Sequence, residues 1–270
     1  MKRLFMIANR LPLQVNDNNG EKELIPFTDG FDSGLSNFYN SFDIKWVGRA
    51  GVNINEISEI EKQEIDNKFR SENCIPIYLD KHLRGEFIEG FCDNTIWPVF
   101  NYFTQFSSYD PTHWEAYKKV NQLYADTILK YLGENDILWI HDYHLMLLPK
   151  LIRERLPNVS IGYFQHIPFP SFEVFRLLPW RMELLEGILN ADLIGFHTYD
   201  YQRHFMSCVR RLLGYETFFN RIRLDERIAK VDAFPKGIDF DFFNKGAKEL
   251  IENTASQDSD IRKELKEFLR

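Results

Sequence analysis

Short, unbroken apolar runs alternate along the chain with segments whose apolar positions recur every three to four residues. The runs are RLFMIAN (3–9), IKWVGRA (44–50), CIPIYL (74–79), DILWIH (136–141), SIGYFQH (160–166) and ADLIGFH (191–197). Continuous rather than alternating hydrophobicity predicts strands covered on both faces, as in a parallel sheet. HWEAYKKVNQLYADTILKYL (113–132) has helical spacing, with Gly133 as its C-cap. HLMLLPKLIRERL (144–156) and YDYQRHFMSCVRRLLG (199–214) read as helices too. This strand–helix alternation predicts an α/β fold with an open, doubly wound, mostly parallel sheet. Residues 16–37, rich in Asn, Asp, Gly and Ser, predict a long loop. From about residue 244 the chain turns polar, with one predicted helix (258–270) and no strand. The expected division is a domain over 1–240 and a polar helical tail or linker over 241–270.

Composition narrows the function classes. The 270 residues are 44% hydrophobic and include 24 Phe, which suits an aromatic-rich core. The net charge of −7 comes without a basic stripe, so neither nucleic acid nor an anionic membrane is an expected partner. Three cysteines without CxxC or Cys/His zinc spacing predict neither a disulfide framework nor a zinc site. A reducing cytoplasm fits them best. No run has the length of a signal peptide core or a membrane span.

In open parallel sheets, ligands bind outside the carboxyl ends of the strands. Here those ends carry Asn9-Arg10, His141-Asp142, His166 and His197. Arg10 suits a phosphate, or a local salt bridge. Asp142 suits either sugar hydroxyls or the N-cap of the helix that follows. His141 and His144 read as a hydrogen-bonded core pair. His166 stands before the rigid Ile-Pro-Phe-Pro loop, and His197 closes its strand. GxGxxG, GxxxxGK[ST] and GxSxG are all absent, which removes the common dinucleotide, P-loop and nucleophile-elbow chemistries. No third ligand accompanies His141 and His144, so no metal is expected.

An ordered set of motifs adds to this. The chain carries ANRLP (8–12), DGFDSGLSNF (29–38), WVGRAG (46–51), GFCDNTIWPVFNY (90–102), WIHDYHLMLLP (139–149), GYFQHIPFP (162–170) and FPKGID (234–239). Together they resemble the N-terminal half of the trehalose-6-phosphate synthases, retaining glycosyltransferases of the GT-B fold. The resemblance implies a Rossmann-like acceptor domain facing a second domain that holds the nucleotide sugar. It implies transfer of glucose from UDP-glucose to glucose 6-phosphate, with no cofactor and no metal. Carried onto this sequence, it implies that Arg10 grips the acceptor phosphate and that Trp46 and Trp97 line the acceptor pocket. Asp142 would hold acceptor hydroxyls, His166 would reach the donor sugar near its reacting carbon, and the loop at Gly30 would approach the donor diphosphate.

The resemblance also carries departures. The second domain's Arg/Lys motif is absent after FPKGID, so the isolated chain is expected to be inactive. Asp29 replaces a family glycine, and Ile88 replaces a family tyrosine that helps hold the acceptor. Two alternatives follow: a related transferase with another sugar phosphate as acceptor, or a non-catalytic sugar-phosphate-sensing module. An apolar cleft wall around Trp46, Phe91, Phe169 and Phe172 is expected to be exposed and to drive self-association into homo-oligomers.

Overall fold

A computed structural model describes residues 3–18, 21–26, 43–133, 135–238, 240, 241 and 243–248. Eleven strands are present among them: β1 (Arg3–Arg10), β2 (Leu13–Asn18), β3 (Glu21–Pro26), β4 (Asp43–Asn53), β5 (Cys74–Leu79), β6 (Ile137–His141), β7 (Ser160–Gln165), β8 (Leu193–Phe196), β9 (Thr217–Phe218), β10 (Arg221–Arg223) and β11 (Ile228–Ala233). Nine form one sheet in the order β5-β4-β1-β6-β7-β8-β11-β10-β9. The six pairings from β5 through to β11 are parallel, while β10 pairs antiparallel with both β11 and β9. The expected doubly wound, mostly parallel α/β sheet is thus present, and all six sequence-predicted strands lie in it.

The order runs outward from β1 in both directions. After β1 the chain builds β4 and β5 on one side, then crosses to β6 on the other. The switch point therefore lies between β1 and β6, whose carboxyl ends carry Arg10 and His141.

The main core stacks buried aromatics against one face of the sheet. Phe91 packs on Trp114, Tyr117 and Trp180 at 4.4–5.5 Å. Phe169 packs on Phe100, Phe196 and Phe205 at 5.2–5.7 Å. A smaller cluster on the β4–β5 flank joins Leu11, Ala50, Ile65, Phe69 and Cys74. The helix Glu59–Ser71 contributes to it, started by a capping box between Ser58 and Glu61.

Several expectations need correction. Residues 16–18 and 21–26 are not loop, because β2 and β3 pair antiparallel there, and the rest of the predicted loop lies outside the described residues. The chain around 144–156 begins as a 3-10 turn, Tyr143–Leu145, and becomes α-helical only over Leu148–Arg153. Pro149, which lacks an N–H and is tolerated in a first turn, sets that later start. A continuous helical run, Lys81–Gly85, Glu86–Ile96 and Trp97–Phe100, was not expected. Its middle section is a π-helix, a form found often at functional sites. The predicted apolar wall is not exposed as expected: Phe91 and Phe169 are both 0% exposed, and Trp46 and Phe172 are partly buried. Exposed aromatics gather instead at Trp97, Tyr102, Phe103, Phe106 and Tyr109. The predicted helix at 258–270 lies outside the described residues.

Candidate functional site

Asp142 follows β6 directly and has φ 71° and ψ 171°. Only glycine adopts that region without strain, which for another residue costs about 1–3 kcal/mol. Its neighbours hold it there. The Asp142 N–H donates to the Phe164 carbonyl at 2.7 Å. Its Oδ1 accepts from the His166 N–H at 3.1 Å. The carboxylate makes no capping bond to the turn that follows. The N-cap alternative therefore gives way to one in which Asp142 ties the end of β6 to the end of β7. Burial pushes its carboxyl up to about 6, while N–H groups of Tyr143, His166 and Ile167 pull it back.

Beside it stands a row of imidazoles, one from each of three adjacent strand ends. His141 Nδ1 lies 3.0 Å from His166 Nε2, and the rings stack at 5.3 Å. His197 meets His166 edge-on at 5.6 Å, and Phe164 packs against both, at 4.8 Å from His166 and 5.0 Å from His197. His141 pairs with His166 rather than with His144, which corrects the expected core pair. Burial, then His197 and Lys236, holds His166 at about 3. Burial, then His166 and Lys236, depresses His141 well below its ordinary value, and burial and Lys236 also depress His197. All three imidazoles are neutral at pH 7. Such a row can donate and accept hydrogen bonds without adding charge.

The other side of the switch point is cationic. Arg10 ends β1 and is the register partner of Arg49 on β4. Gly48 makes that approach feasible, because a Cβ there would lie 2.6 Å from the Arg10 carbonyl carbon. Asp93, in the π-helical section, senses Arg10 and Arg49, although burial and Glu89 push its carboxyl up. Burial, followed by Arg49 and Arg10, holds His144 at about 3.

The predicted site residues divide as follows. Arg10, Asp142 and His166 stand at the carboxyl ends of β1, β6 and β7, with Asp142 and His166 in direct contact. Trp97 lies one turn beyond Asp93 in the helical run; it is 42% exposed and stacks on Phe103 at 6.2 Å. Trp46 does not join them: its register partner is Met6, and it packs in the cluster with Phe69 and Cys74. Ile88 packs against the main core. Gly30 and Asp29 lie outside the described residues. The residue that sequence reading missed is Arg49. It lies inside the WVGRAG motif, three places after Trp46.

Residues 2–269 match the family model described as Glycosyltransferase family 20. An Aspergillus niger protein named alpha,alpha-trehalose-phosphate synthase [UDP-forming] 1 is 41% identical over 252 residues, covering 91% of this chain and 48% of that protein. The Saccharomyces cerevisiae 56 kDa subunit of that name is 38% identical, covering 91% of this chain and 50% of that one. Among solved structures, an E. coli trehalose-6-phosphate protein bound with UDP-2-fluoro glucose superposes with TM-score 0.77 and 27% identity. It covers 94% of this chain and 54% of that structure. The N-terminal domain of Candida albicans trehalose-6-phosphate phosphatase superposes with TM-score 0.71 and 32% identity, covering 90% of this chain and 50% of that one. The chain thus spans about half the length of the curated relatives it matches, and it belongs to glycosyltransferase family 20.

Proposed function

We propose that this chain is the acceptor-binding half of a UDP-forming trehalose-6-phosphate synthase. The whole protein would transfer glucose from UDP-glucose to glucose 6-phosphate with retention, and the isolated half would be inactive. The observation that carries this reading is the Asp142 carboxylate, held on a strained backbone at the switch point beside His166, with Arg10 and Arg49 paired at the neighbouring strand ends.

The division of charge suits the reaction. Arg10 supplies the charge for the acceptor phosphate. Asp142, at about 6, is about nine-tenths ionised at pH 7 and accepts from sugar hydroxyls. In the transfer, the bond from the donor's anomeric carbon to its diphosphate oxygen breaks. A bond from the acceptor oxygen to that carbon forms on the same face. The acceptor's proton leaves on the departing diphosphate, and UDP is released. No enzyme atom enters a covalent intermediate, so the protein's contribution is placement and electrostatics. A neutral His166 facing the sugar fits that task, since an imidazolium there would oppose positive charge developing at the anomeric carbon.

The test is UDP release from UDP-glucose by the full two-domain protein. Release that needs glucose 6-phosphate, and gives a product retaining the α-configuration by NMR, is expected. Absence of release with every sugar phosphate offered would overturn the reading. A second reading, a sugar-phosphate-binding module without turnover, draws on the likeness to the N-terminal domain of the Candida albicans phosphatase. It predicts thermal stabilisation by sugar phosphates in a protein that releases no UDP.

A further inference from the structure

Two partly exposed arginines of this chain are each closed by a carboxylate. Arg3 grips Asp136 through Nε and Nη2 at 3.0 and 2.6 Å. Arg153 holds both oxygens of Asp192 at 2.8 Å. Arg49 is different. It is only 6% exposed, and its Nε donates to the carbonyl and the Oδ1 of Asn9 at 3.2 and 2.9 Å. Its enclosed Nη2 has no hydrogen-bond partner among the described residues. No carboxylate among them forms an ion pair with it within 4.0 Å. The charged and titratable groups around it are Arg10, Arg84, Tyr124, Cys92, Asp93 and His144. Two of these are further cations. The nearby acids are engaged or displaced: Glu89 pairs with Arg84 at 3.0 Å, and burial pushes the Asp93 carboxyl up.

A buried guanidinium with a spare donor and no counterion is unstable unless something anionic completes it. No described residue does so, which leaves that position to an anionic ligand. Arg10, the exposed register partner of Arg49, marks where that ligand enters.

We infer that Arg49 is the second anion-recognition residue of the acceptor site, so that a phosphate monoester dianion seats between Arg10 at the mouth and Arg49 behind it. This deepens the acceptor reading above and rests on it. Two cations in succession, one shielded from water, favour a dianion over a neutral or singly charged group. The Asn9 side chain fixes the Arg49 fork in advance of binding.

The test uses inorganic phosphate as probe, with chloride at matched ionic strength as control, on this chain and its Arg49→Met variant. Thermal melts across a phosphate titration give the affinity. Arg49→Met is expected to weaken phosphate binding about tenfold to a hundredfold, as for loss of a hydrogen bond to a charged group. Without phosphate, its melting temperature is expected to be no lower than that of the parent chain. Equal phosphate affinity in the variant would overturn the inference and leave Arg49 as a support for Asn9. If Arg49→Met does not fold, the Arg49 Nε–H resonance of the unaltered chain decides. A shift on adding phosphate supports the inference, and an unmoved signal overturns it. No donor sugar enters either experiment, so its failure is separate from a failure to release UDP.

Discussion

Asp142 combines three costs in one residue: a backbone conformation suited to glycine, a partly enclosed carboxylate, and a position at a strand end. Because its carboxyl sits above its unfolded value, the protonated form is the one the fold prefers. Its stabilising contribution is present below pH 4 and is lost as pH rises through about 6. At pH 7.5 the ionised group costs about 3 kcal/mol. Asp142→Asn keeps the oxygen that accepts from the His166 N–H and removes the charge. That variant is expected to melt higher than the parent chain at pH 7.5 and to match it near pH 4. In the two-domain protein it should lose most of its transfer activity. Melting curves at the two pH values check the first part. Asp142 is legible by its place after an apolar strand, but its φ is not, because that depends on the backbone of Phe164 and of His166, 24 residues away. Arg49 was hidden for a similar reason. Its burial and its missing counterion depend on Asn9, forty positions off, and no local pattern reports them.

At the scale of elements, the site depends on how closely β4 approaches the end of β1. A Cβ on Gly48 would lie 2.6 Å from the Arg10 carbonyl carbon and 2.7 Å from the Leu11 nitrogen, both backbone atoms that cannot rotate away. Gly48→Ala is expected to destabilise the chain by about 1–3 kcal/mol through overpacking. It should also weaken phosphate binding, because Arg10 is carried on the displaced peptide. Gly246→Ala, with open space around its Cβ, is the matched control and should do neither. Denaturant melts and phosphate titrations of both variants check this. The central strands were legible because each is a continuous apolar run buried on both faces. β9, β10 and β11, at the end of the sheet beyond β8, offer no such run, since their residues alternate or stand beside charges such as Arg221, Arg223 and Lys230. The helical run from Lys81 to Phe100 was obscured by Gly85, Gly90 and Pro98. Gly90 is explained by the His113 ring, which would meet a Cβ there at 2.6 Å.

The whole molecule concentrates buried neutral histidines at one edge of its sheet, and this should show in its acid response. His144 and His166 are both held at about 3, and burial depresses His141 well below the ordinary value. A lowered histidine pKa costs nothing above about 6.5 and destabilises the fold as pH falls below it, because the unfolded chain takes up protons that the native state refuses. At pH 5 the two histidines near 3 each remove about 2 kcal/mol. Asp142 acts in the opposite direction over the same range but is a single group. The net expectation is a melting temperature that falls between pH 7 and pH 5, read by thermal melts. A melting temperature that holds or rises over that range would mean the imidazoles are not kept neutral.

The central claim is that the acceptor site lies where β1, β4, β6 and β7 end. Titration of glucose 6-phosphate into this chain, followed by NMR, tests it most directly, with glucose as the comparison ligand. Binding is expected to be tighter for the phosphorylated sugar, to shift the His166 signals, and to weaken at least tenfold in Arg10→Gln and Asp142→Asn. Equal binding of the two sugars, or variants that bind as the parent chain does, would contradict the account.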